Sequence, residues 1–151
     1  MIEDAKEELK RADHLVFVSL KYTRTIDVIE SIIKRLLNAN QIAMDSLIDY
    51  FISKKKIKER PISFKNQIEV LKKLVKNDEL KEFLDFSVFL FRIDKAEHIK
   101  KEEFRKNVAL IAVENGDVIA EASINMLKEY YKKTEDFINF IFNFVKGIKN
   151  E

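Results

Sequence analysis

The stretch from Asn107 to Ser123, NVALIAVENGDVIAEAS, decides what kind of fold this chain has. Asn115 and Gly116 stand between two apolar runs, and Asn-Gly in that setting is the strongest short hairpin signal, because both residues tolerate the positive φ of a tight turn. Against it stand the alanines Ala109, Ala112, Ala120 and Ala122, which favour helix. Helix is the favoured reading. Gly116 then ends one helix in a left-handed conformation, and Asp117 caps a last helix that runs to about Lys146. On the alternative, a short β-hairpin crosses at Asn115 and Gly116 and the last helix begins after Ser123.

The flanking sequence supports a helical fold. Gly 2 and Pro 1 in 151 residues are too few for the many turns of β sandwiches and barrels. With 46% hydrophobic residues the chain can bury a core without staples. The expectation is all-α: one domain over residues 1–151, a bundle of about five or six helices, with at most one short hairpin near Asn115 and Gly116.

A first helix is predicted over about residues 2–21, where Ile2, Ala5, Leu9, Ala12, Val16 and Leu20 recur at helical spacing. Thr25 is a fair N-cap for the second, whose seam is Ile26, Ile29, Ile33, Leu36, Asn40, Ala43, Leu47 and Tyr50. The opposite stripe of that helix is wholly polar, so one face meets the core and the other meets water. Asn40 interrupts the seam and needs a partner inside the core, since an unbonded buried amide costs about 1–3 kcal/mol. Pro61 and then Ser63 start a short third helix through about Val75, and Lys76-Asn77-Asp78 punctuates before a helix carrying Leu80, Leu84, Val88 and Phe91. The last helix is apolar around most of its circumference from Phe137 to Val145, which implies central burial or a partner chain.

Composition narrows the chemistry. Cys 0 removes thiolate nucleophiles and cysteine-held metals. The 28 basic and 26 acidic residues leave a net charge of +2, so any nucleic-acid contact must be local. The densest basic run is Lys54, Lys55 and Lys56, at a helix end where lysines also satisfy terminal carbonyls, and that solvated role is the favoured one. The amino terminus, MIEDAKEELKRADH, lacks the order of a signal peptide, and the longest apolar runs fall short of the roughly 20 residues of a membrane helix, so a cytoplasmic protein is expected.

His14 and His98 lie too far apart in sequence to form a helical metal pair, and neither HExxH, Glu-x-x-His, an EF-hand nor a Gly-rich phosphate loop occurs. No metal and no cofactor is called for. FRIDKAEHIKKEEFRK, Phe91 to Lys106, places Arg92 and His98 with residues 93–97 between them. Metal-free RNA cleavage needs a group that titrates near neutrality and a permanent cation for the scissile phosphate, which His and Arg supply. The bland account, which is preferred, has an exposed histidine at a helix start and an arginine paired with Asp94 or Glu97.

SIIKRLLNANQIAMDSLIDYF as a long second helix, ERPISFKNQIEVLKKL as a short third, and EEFRKNVALIAVENGDVIAEASINMLKEYYKKTEDFINFI running into the final helix together resemble the HEPN superfamily of small helical bundles. The resemblance is loose and covers most of the chain. It implies a dimer in which an Arg, a short spacer and a His from each subunit come together on RNA, with Arg92 and His98 keeping the spacing and Ile93 standing where a polar residue is usual. A second arginine, Arg105, is followed by Leu110 where a His would be needed. Two functions are therefore expected in order: a dimeric RNA-handling protein, with metal-independent toxin-type ribonuclease activity as its sharpest form, or a non-catalytic helical protein-protein interaction module. Arg92 and His98 are the catalytic candidates. Lys54, Lys55, Lys56 and Arg105 are the RNA-binding candidates, and Phe137, Ile141, Phe142 and Val145 are the candidates for a homodimer or partner interface.

Overall fold

The computed structural model describes residues 2–147. Its elements are α1 Ile2–His14, a π-helical segment Leu15–Ser19, α2 Leu20–Tyr22, α3 Ile26–Ser53, α4 Phe64–Leu74, α5 Asp78–Lys95, β1 Glu97–Lys101, β2 Ala109–Glu114, β3 Asp117–Ser123 and α6 Ile124–Lys146. The first three run on without a break. Within them the Leu20 N–H reaches back to the Leu15 carbonyl, the wider spacing of a π turn, which inserts a residue and re-aims the side chains that follow. Val16 and Leu20 stay in the core, while Phe17 and Val18 are turned out to solvent.

The expectation of an all-α fold is corrected to a helix-dominated mixed fold. A three-stranded antiparallel sheet of order β1-β2-β3 follows α5. The favoured helix over residues 108–122 does not form. Asn115 at φ 53 and Gly116 at φ 83 make the tight turn, with Glu114 opposite Asp117. Val108, Ile111, Val113, Val118 and Ile119 are β-branched and suit a pleated surface, and their preference outweighs the small helical advantage of the alanines. The alanines have another use. Leu110, Ala112 and Ala122 are buried on the inner face, where β2 lies against α3 and β3 against α6, and small side chains let the backbones approach. A bulge between Ala112 and Val113 shifts the register of the β2–β3 pair. The sequence gives no sign of β1, and β1 carries His98.

Other local features follow the sequence. Thr25, Ser63 and Asn77 cap α3, α4 and α5, each accepting a backbone N–H three residues on, at 3.4, 3.1 and 3.0 Å. α6 begins after Ser123, whose hydroxyl accepts the Met126 N–H at 3.2 Å. Gly147, at φ 75, closes it in the left-handed C-cap conformation.

The buried apolar side chains form one cluster drawn from the helices and the inner face of the sheet. Asn40 sits inside it, fully buried and fully bonded. Its amide donates to the Leu36 carbonyl at 2.8 Å and to Thr134 Oγ1 at 2.9 Å, and its Oδ1 accepts from Ser87 at 3.1 Å. Three helices, α3, α5 and α6, are thereby tied at one polar point, which fixes their register. None of the described helices is long and apolar enough to cross a membrane.

Candidate nucleic-acid interface

The loop between β1 and β2 is strapped to the start of α3. The Phe104 N–H donates to the Arg24 carbonyl at 2.6 Å, and Glu103 Oε2 accepts the Ile26 N–H at 2.9 Å, placing a carboxylate at the positive end of the α3 dipole. Holding both bonds puts Glu102 at φ 51 and Phe104 at φ 67, a left-handed conformation that costs a non-glycine residue about 1–3 kcal/mol. The consequence is an aromatic ring aimed at water. Phe104 is 77% exposed, Tyr22 at the end of α2 is 80% exposed, and Phe17 in the π segment is 45% exposed.

Two clefts adjoin, sharing Arg24 and Ile124, and Phe17 lines one of them. One, of about 290 Å³, runs past Phe17, Lys21 and Lys128; the other, of about 350 Å³, past Lys101, Lys106 and Asn107. Lys101 pairs with Glu121, the one acid in their walls among the described residues, and that bond raises the lysine pKa. Lys21, Arg24, Lys106 and Lys128 pair with no acid among the described residues. Lys128 Nζ lies 5.7 Å from the centre of the Phe17 ring, and Phe17 meets Tyr131 edge-on at 5.6 Å. Phe17 thus shares one cleft with Lys21, Arg24 and Lys128, and Arg24 continues into the other beside Lys101 and Lys106.

Of the sequence-predicted RNA contacts, Arg105 is exposed on the strapped loop between Phe104 and Lys106 but lines neither cleft. Lys54, Lys55 and Lys56 lie elsewhere, exposed at the end of α3, where their N–H groups close the helix onto Tyr50, Ile52 and Phe51 carbonyls. Lys54 Nζ also lies 5.6 Å from the Tyr50 ring centre. Lys21, Arg24, Lys106, Lys128 and the exposed rings escape a reading of the sequence because they come from three separated segments. Tyr22-Thr23-Arg24 and Phe104-Arg105-Lys106, each an aromatic residue beside a cation, are the signal the sequence does carry.

Arg92 and His98 each have a local partner. Arg92, on the exposed side of α5, makes a two-point bond to Glu114 at 2.8 and 3.3 Å, in place of the expected Asp94 or Glu97, and this holds the Glu114 carboxyl below its usual range. Asp94 instead accepts from Lys34 at 3.0 Å. His98 projects from β1, not from a helix, and is only 15% exposed. Its Nε2 lies 2.6 Å from the Ile93 carbonyl, which can only accept, so that nitrogen carries a proton. Its Nδ1 lies 2.6 Å from Glu30 Oε2. The ring clasps β1 to α3 and α5. His98→Ala is expected to lower the unfolding free energy by roughly 1–3 kcal/mol, because the Ile93 carbonyl is left with only the longer 3.3 Å bond from the Ala96 N–H and the Glu30 carboxylate loses its partner. Urea denaturation measures this, with faster amide exchange in β1; unchanged stability would leave the ring free for other work.

The four interface candidates divide. Phe137 and Ile141 are fully buried within the chain, among α3, α5 and α6, so they belong to its own core. Phe142 is half-buried and Val145 is 39% exposed, and with Ile2 and Tyr50 they edge a groove of about 380 Å³. Among the described residues no three His, Asp or Glu side chains gather in a way that could hold a metal ion. Compared with known proteins, the chain matches no family model, no curated protein and no solved structure.

Proposed function

We propose that this chain is an RNA-handling protein that holds single-stranded RNA along the groove between Phe17 and Phe104. Binding, not cleavage, is the activity the geometry favours, since both nitrogens of His98 are already engaged. The observation that carries the proposal is the pair of adjoining clefts: Lys21, Arg24, Lys106 and Lys128 stand in their walls without acidic partners among the described residues, Phe17 lines one of them, and the loop bonded to the Arg24 carbonyl holds the exposed Phe104 ring in a left-handed backbone. Single strands are held by this combination, cations tracking the phosphates and aromatic faces stacking on bases. The resemblance to the HEPN superfamily points towards RNA as well.

The test is titration of a labelled, unstructured RNA decamer at about 50 and about 200 mM salt. Four phosphate contacts give a log-log slope near −2.8 for a single strand, so affinity should fall roughly fifty-fold between the two conditions. Salt-insensitive binding, or none, would overturn the proposal.

A second reading, the interaction module, is favoured by the groove at Phe142 and Val145, lined also by Ser46, whose hydroxyl is buried and without a partner among the described residues. If a second copy covers it, Phe142→Glu should shift sedimentation from dimer to monomer, since an uncompensated charge is costly to bury.

A further inference from the structure

Arg24 is the odd residue of this surface. Its side chain is half-buried, its Nε is fully buried without a hydrogen-bond partner, and no carboxylate pairs with its guanidinium among the described residues. A guanidinium nitrogen removed from water without an acceptor is unfavourable, and native structures rarely leave one so. The surroundings do not relieve it. The walls of the two clefts that meet at Arg24 carry Lys21, Lys101, Lys106 and Lys128 against the single acid Glu121, which Lys101 already takes. The walls around Arg24 therefore lack a counter-charge, and an anion bound in the clefts would supply it.

We infer that Arg24 is the anchor of an oxyanion site for a phosphate group, seated where the two clefts join, with Lys21, Lys106 and Lys128 around it. The planar guanidinium fork matches two oxygens of a phosphate, and the flanking ammonium groups neutralise charge without fixing direction. The inference rests on the RNA proposal and deepens it by naming the group that fixes the strand, with Phe17 in the wall of one cleft to stack on a base and the exposed Phe104 on the loop bonded to the Arg24 carbonyl. The same chemistry fits an internal phosphodiester, a terminal phosphate or free phosphate.

The β1–β2 loop is held by the carbonyl of Arg24, not by its side chain, so a substitution leaves the strap in place. The experiment compares wild type with Arg24→Gln and Arg24→Lys, each checked for fold by circular dichroism. Inorganic phosphate is titrated by NMR, and RNA decamers bearing a 5′-phosphate or a 5′-hydroxyl are titrated by anisotropy. The expected result is saturable phosphate binding in wild type that Arg24→Gln abolishes, with RNA affinity lowered about ten- to a hundred-fold by Arg24→Gln and partly restored in Arg24→Lys. Tighter binding of the 5′-phosphate strand, abolished in Arg24→Gln, assigns the site to a strand end; equal binding of both strands, equally weakened, assigns it to the backbone. Phosphate and RNA binding unchanged in Arg24→Gln overturns the anchor while leaving the RNA surface standing. Arg24-dependent phosphate binding with no RNA binding does the reverse.

Discussion

Phe137→Ala should lower the unfolding free energy by roughly 3–5 kcal/mol, a large share of the 5–15 kcal/mol typical of natural domains. The ring is wholly enclosed and stacks on Phe83 with centroids 5.2 Å apart. Alanine would leave a cavity lined by α3, α5 and α6 that close-packed neighbours cannot fill without strain. Because the loss falls on the chain's own core, sedimentation should be unchanged. Val145→Ala, at the exposed end of the same helix, should cost under about 1 kcal/mol. Urea denaturation measures both, and a change below about 1 kcal/mol in Phe137→Ala would place the ring at a partner surface instead.

Reversing two groove charges together, Lys106→Glu with Lys128→Glu, should weaken RNA binding at least a hundred-fold at about 50 mM salt. Each substitution takes a cation away from a phosphate and adds a repulsion, and the log-log salt slope should become shallower by about 0.7 for each phosphate that is no longer neutralised. Both lysines are exposed, so the fold should survive. Lys54→Glu with Lys55→Glu carries the same net charge and is the matched control. An equal weakening in the control would mean that RNA responds to overall charge and not to the groove.

Where local chemistry alone sets structure, the sequence can be read directly. Thr25 and Ser63 cap the helices they precede, and the α3 seam is buried from Ile26 to Leu47 as its spacing predicts, because caps and amphipathic periods depend on residues a few positions apart. Asn40 is legible as a bonded core residue, though Ser87 and Thr134 lie far away in sequence. The sheet is harder. β1 reads EHIKK, polar at most positions and largely exposed, so it carries no alternating apolar signal and forms only because β2 offers it a partner. Without β1 His98 is misplaced as well, since its partners Glu30 and Ile93 are fixed by the sheet folding back over α3 and α5. The groove is the least legible feature. Its cations are scattered among 26 acids and come from separate segments, which meet only in the folded chain around the clefts that share Arg24.

The most direct test of the central claim is ultraviolet cross-linking of an unstructured RNA to the full chain, with the adducts located by mass spectrometry. Stacked rings react at short range, so adducts should concentrate on Phe104, Tyr22 and Phe17, and should fade when Lys106→Glu and Lys128→Glu are combined. Adducts confined to the end of α3 at Lys54, Lys55 and Lys56, or to the neighbourhood of Arg92, would contradict it.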